Sequence, residues 1–137
     1  MASWGEVAAI AGALPEVDES TSYGNRDWKV RKKTFAWDRP LRPKEVEALG
    51  GFEPEGAAPP GEILAVRVAD EEAKQALVSS EPEIYFTTSH FDGYPAVLVR
   101  LERIARAELE ELILEAWVAR APKRVVAAFL DGRRGTP

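Results

Sequence analysis

Cysteine is absent from these 137 residues. That excludes disulfides, thiolate nucleophiles, iron–sulfur clusters and cysteine-based zinc sites together. It suits a reducing compartment, so a cytoplasmic location is the expectation. Histidine occurs once, at His90, so no set of imidazoles can gather a metal. No apolar run approaches the roughly 18 residues that a bilayer-spanning helix needs. The opening Met1-Ala2-Ser3-Trp4-Gly5-Glu6 has no basic stretch before an apolar one, so neither a secretory leader nor a membrane partner is expected. Glycine-rich phosphate loops of the form G-x-G-x-x-G or G-x-x-x-x-G-K are missing, as is a G-x-S-x-G elbow. The expectation is therefore a non-enzymatic chain without cofactor or metal. An enzyme of unknown chemistry, built from carboxylates and arginines, is the last-ranked alternative.

What is present suffices for a core. Leu, Ile, Val and Phe make up 33 of the 137 residues, and four Trp add large apolar area. A chain of this length buries enough surface to fold as one domain without staples. One domain over residues 1–130 is expected, followed by a flexible tail from Asp131 to Pro137. The formal net charge is −5, and it is uneven. Arg26, Lys29, Arg31, Lys32 and Lys33 face Asp27 alone, a local +4 that leaves −9 on the rest of the chain.

Prolines mark the joints. Before Pro15, the spacing of Trp4, Val7, Ala8, Ala11 and Leu14 predicts a helix over 3–13 with Ser3 as its cap. Tyr23 to Val30 and Thr34 to Asp38 alternate as strands, with Trp28 and Val30 on one side of the first and Phe35 and Trp37 on one side of the second. Arg31-Lys32-Lys33 forms the tip between them. A short helix is expected from Pro43 to Leu49, then a Pro/Gly/Ala loop from Glu53 to Gly61. Glu62 to Val68 reads as a strand with both faces partly covered. Asp70 caps a helix through Ser79, and Glu83 to Thr88 and Ala96 to Glu102 are two more strands. Ala105 to Arg120 is a helix with Leu109, Leu112, Ile113, Ala116 and Trp117 as its apolar stripe and Glu108, Glu110, Glu111 and Glu115 facing water. Pro122 opens a last helix with Val125, Val126 and Phe129 inward. Hairpins in place of repeated βαβ units predict an α+β fold, an antiparallel sheet of five strands covered by helices.

Three clusters are candidates for chemistry. His90 and Asp92 share a loop and form a general-base pair in principle; the structural reading, a histidine shaping a turn, is preferred. Glu108, Glu111 and Glu115 share a helix face, read as solvated surface because no histidine joins them. The basic hairpin Lys29, Arg31, Lys32 and Lys33 is interleaved with Tyr23, Trp28, Phe35 and Trp37, a pattern that suits nucleic acid. The competing reading makes those aromatics core and the lysines guards of a turn.

Several segments carry a family likeness: Leu14-Pro15-Glu16-Val17, Tyr23-Gly24, Trp28, Lys33-Thr34-Phe35-Ala36-Trp37, the run from Pro82 to Leu101, Glu110 to Trp117, and Arg120 to Arg124. As an ordered set they resemble the YjbR/MmcQ-like family of small bacterial proteins. The resemblance implies a two-layer α/β fold with an antiparallel sheet, as in frataxin-type and secretion-chaperone-like domains. Members carry a DNA-binding label, and no catalytic residues come with it. The leading expectation is a binding module that contacts DNA through Lys29, Arg31, Lys32 and Lys33, aided by Lys123 and Arg124. The alternative is a protein-interaction domain that uses the sheet face or the His90 loop. A monomer or weak dimer is expected.

Overall fold

The computed structural model describes residues 2–22, 25–42, 44–45, 62–88 and 91–134. Local rules account for its helices. The Ser3 side chain accepts from the Glu6 backbone at 3.2 Å, and the Glu6 carboxylate accepts from the Ser3 backbone at 3.1 Å. This reciprocal pair starts α1 (Trp4–Gly12). Asp70 accepts from the Ala73 N–H at 2.8 Å and starts α2 (Glu71–Ser80). The five-residue stripe read from the sequence is the buried side of α3 (Arg106–Arg120). α4 (Lys123–Arg134) follows, and its Phe129 ring meets Trp117 edge-on at 5.2 Å. This last helix runs through Asp131 to Arg134, residues expected to belong to the tail. Phe129 packs on the core, and extending a helix past a fixed turn costs little.

Six strands are present among the described residues: β1 (Val17–Ser22), β2 (Asn25–Val30), β3 (Lys33–Asp38), β4 (Ile63–Arg67), β5 (Tyr85–Phe86) and β6 (Ala96–Arg100). They form one sheet in the order β1-β2-β3-β4-β6-β5, with every pair antiparallel. The expected class is therefore correct, and the expected count of five strands omits β1. Helices α1 to α4 pack against one face of the sheet. There Trp28, Val30, Leu64, Val66, Val97 and Val99 meet Val7, Ala11, Leu109, Ile113 and Trp117 in the main core. Ile63, Ala65, Phe86, Ala96 and Leu98 point to the other face. Phe91 and, in part, Trp37 and Leu41 cover them in a smaller cluster.

One side-chain assignment needs correction. Phe35 and Trp37 do not share a side: Phe35 is in the main core and Trp37 packs on the opposite cluster. The register explains it. Trp28 pairs with Ala36 and Lys29 with Thr34, so β3 spends two steps where β2 spends one. Phe35 is the extra residue of a β-bulge, and every side chain beyond it changes face.

The helix expected at 43–49 and the loop after it lie mostly outside the described residues. Lys44 and Glu45 are helical.

Candidate functional site

The β2–β3 hairpin closes with Val30 opposite Lys33, leaving Arg31 and Lys32 as a two-residue turn. Both have left-handed backbones, φ 47° and 68°. That is the type I′ geometry, whose twist matches the strands and which normally takes Asn-Gly. Arg31, Lys32 and Lys33 are all exposed. The Arg31 guanidinium grips Glu16 with both arms, Nε to Oε1 at 2.6 Å and Nη2 to Oε2 at 3.2 Å. Those hydrogen bonds hold the Glu16 carboxyl below the ordinary carboxylate range, and the nearby charge of Arg124 adds to them. Arg31 and Arg124 thus flank one carboxylate at the same end of the molecule.

Lys29 does not join them. Its Nζ reaches Ser20 Oγ at 3.1 Å and the Asp27 carboxylate at 3.3 Å, along the sheet face away from the helices. Ser20 donates to the same buried Asp27. Arg26 is likewise paired, with Glu19 at 3.0 Å, and lies 5.3 Å from the Trp28 ring. Of the aromatics flanking the hairpin, Trp28 and Phe35 are core, and Tyr23 lies outside the described residues. The six sequence-chosen cations therefore divide. Arg31, Lys32 and Lys33 share the tip and Arg124 approaches it. Lys29 belongs to the sheet face, and Lys123 is exposed at the start of α4.

That sheet face carries a second feature. A groove of about 720 Å³ runs over β2 and β3, with Asp27, Lys29 and Thr34 on its floor and Trp37, Arg42 and Tyr94 on its walls. Tyr94 is 42% exposed. The wall is built by buried charges. Lys74, 1% exposed, donates to the Phe91 carbonyl at 2.7 Å, the Tyr94 carbonyl at 3.0 Å and Glu71 at 3.4 Å. Arg39 and Glu45 form a two-armed pair at 2.9 and 2.8 Å, Glu45 also accepts from Thr88 at 3.1 Å, and Arg39 lies over Phe91. Burial pushes the Glu45 carboxyl up. The hydrogen bonds from Arg39, the Arg42 backbone and Thr88 outweigh it and bring the group down to about 2. Thr88, Phe91 and Tyr94 are thereby each tied to a buried charge. His90 lies outside the described residues, and Asp92 on this loop is exposed.

Sequence reasoning missed these struts. The signal for Lys74 was its place in the α2 stripe, three residues before Leu77. Arg39 and Glu45 are only six residues apart, but no periodic pattern pairs them, and their contacts with Thr88 and Phe91 come from a distant segment. The acidic α3 surface is more engaged than expected: the Tyr85 hydroxyl donates to Glu108 at 2.5 Å. Burial first, and that carboxylate second, push the Tyr85 hydroxyl up. Among the described residues no group of His, Asp and Glu has metal-holding geometry, and no helix is long and apolar enough to cross a membrane.

A family model described as YjbR matches residues 12–119. The chain belongs to the YjbR family. This YjbR-family chain is 54% identical over 132 residues to Uncharacterized protein Mb2600 of Mycobacterium bovis, and equally to Uncharacterized protein Rv2570 of Mycobacterium tuberculosis. Each match covers 95% of the chain and 97% of the relative. Among solved structures it is similar to Deinococcus radiodurans protein DR2400, described by the domain name DUF419. The TM-score is 0.62 at 17% identity, over 86% of this chain and 78% of that one. At that identity the likeness shows the fold.

Proposed function

We propose that this YjbR-family chain is a non-catalytic binding module that contacts the phosphate backbone of nucleic acid through the tip of the β2–β3 hairpin. The carrying observation is the composition of the turn. Arg31 and Lys32 occupy left-handed positions where Asn-Gly would fold more easily. A left-handed backbone costs a non-glycine residue about 1 kcal/mol or more. Long cationic side chains at such positions serve something other than folding. With Lys33 and Arg124 they supply up to four phosphate contacts, so the salt slope on duplex DNA is roughly −3 to −4. The net charge of −5 opposes binding at long range and keeps the affinity modest. Titration of labelled duplex and single-stranded oligonucleotides at low and moderate salt tests this. Binding is expected to fall steeply with salt and to vanish in a Lys32→Glu/Lys33→Glu variant. Equal or undetectable binding by both proteins at low salt would remove the proposal.

The groove on the sheet face supports a second reading, a protein partner docked against Trp37, Tyr94 and Arg42. Trp, Tyr and Arg are the residue types that anchor protein interfaces. A photo-crosslinker at position 94 should trap one defined protein, and Trp37→Ala should abolish the product. A Trp37-independent pattern would count against this reading.

A further inference from the structure

We propose that Glu16 is an internal competitor for phosphate at Arg31. The inference rests on the nucleic-acid reading above and adds a regulatory residue to the same site. Three non-glycine residues among the described ones have left-handed backbones: Glu16, Arg31 and Lys32, with φ of 59°, 47° and 68°. They come from two separate turns, and all three sit around one shallow hollow of about 670 Å³ between the end of α1 and the hairpin tip. Two of them are bonded to each other. A turn residue with a left-handed backbone is replaceable by glycine with a gain in folding, so the Glu16 carboxylate and the Arg31 guanidinium both stand at sites chosen for their side chains.

Their geometry states what the contact does. A guanidinium that meets a carboxylate through Nε and Nη2 presents the same two parallel N–H donors that it offers to a phosphate. Glu16 therefore occupies the fork that a phosphate would take. The pair is close to half-exposed on each side, 46% for Arg31 and 42% for Glu16. Exposed pairs of this kind are weak and screened by salt. The contact can thus be displaced: a phosphate arriving at Lys32 and Lys33 competes with Glu16 for Arg31, and the freed carboxylate stays beside Arg124. A cation held this way is charged but not on offer, which lowers background affinity for any anion that engages Arg31 alone. An anion must carry several phosphates in a row to win.

The test compares wild type with Glu16→Gln, Glu16→Gly and Glu111→Gln, each titrated with a labelled duplex and, separately, with inorganic phosphate. Glu111 is exposed on α3 and has the same charge, so its variant reports the effect of net charge alone. Glu16→Gln should tighten duplex binding roughly fivefold and leave the salt slope near its wild-type value, because the same cations meet phosphate without first displacing a carboxylate. Glu16→Gly should tighten it equally while raising the melting temperature, which keeps the test intact if the glutamine variant folds poorly. Glu111→Gln should change affinity by less than half as much, and inorganic phosphate should remain weak throughout. Equal tightening by Glu16→Gln and Glu111→Gln would overturn the competitor role. So would duplex binding that Lys32→Glu/Lys33→Glu abolishes but Glu16→Gln leaves unchanged, and that outcome would spare the nucleic-acid reading. Duplex binding by none of the proteins, Glu16→Gln included, would overturn both.

Discussion

The molecule uses the same chemistry in two places to opposite effect. Behind the groove, Lys74 and the Arg39–Glu45 pair are nearly out of water and have become structure: Lys74 holds the Phe91 and Tyr94 carbonyls, and Glu45 holds both Arg39 and the distant Thr88. At the hairpin end, Arg31 and Glu16 make a comparable two-armed contact in the open. Burial decides the difference. In the interior an unpaired charge is so costly that the pairing is fixed. At the surface water and salt compete, and the partner can be exchanged. The lesson is that a charge count along the sequence says little about which charges are available to a ligand.

Of the two regions the buried one has more to lose, and Lys74 is its most enclosed charge. Lys74→Met keeps the volume but takes the ammonium away from the Phe91 and Tyr94 carbonyls, which keep only the Tyr94 and Ala96 backbone N–H groups. The expected loss is about 2–4 kcal/mol, the worth of two charge-assisted hydrogen bonds less the relief of no longer burying a charge. Arg31→Met, which removes an equally two-armed cation, should leave the denaturant midpoint unchanged. Urea unfolding of both variants checks this. Equal losses would mean that the two regions do not differ as argued.

A smaller effect separates them in pH. Glu45 falls to about 2 in the folded state from its ordinary 4.5. A depressed carboxylate adds stability that is fully present above its unfolded value and is lost as pH falls through its folded one. The acid limb of wild type should therefore carry a component between about pH 4.5 and pH 2 that Glu45→Gln lacks. Thermal melts across that window measure it. Identical slopes for the two proteins would show that Glu45 is not held as the geometry implies.

The sequence made the apolar frame readable and left the polar devices hidden. The α3 stripe and the alternation of β4 were legible because burial of apolar side chains repeats with the period of the element. β1 was not, because Val17-Asp18-Glu19-Ser20-Thr21-Ser22 is an edge strand held by polar contacts. Glu19 bonds Arg26 and the Trp28 indole, and Ser20 bonds Asp27. No apolar period betrays such a strand. The bulge at Phe35 was equally silent, and it set Trp37 on the groove side. For the site, the tip cations were visible as a run of charge. Which of them Glu16 and Asp27 occupy depended on turns and registers that no local pattern encodes.

The finest test concerns the tip itself and turns on sign. Lys32 has a φ of 68°, and its neighbour Lys33 is the first residue of β3. Glycine at position 32 relieves the left-handed strain, about 1–2 kcal/mol, against roughly 0.5–1 kcal/mol of added freedom in the unfolded chain. The net gain is about 0–1.5 kcal/mol, a rise of at most roughly 6 °C in melting temperature for a chain of this size. Glycine at position 33 has no strain to relieve and weakens a strand, so it should lower the melting temperature. Both variants remove one positive charge and should weaken duplex binding alike. Opposite signs in stability with equal losses in binding are expected only if Lys32 is kept for its charge despite its backbone. A destabilised Lys32→Gly would show that its side chain supports the fold, and the tip would then resemble the sheet-face struts.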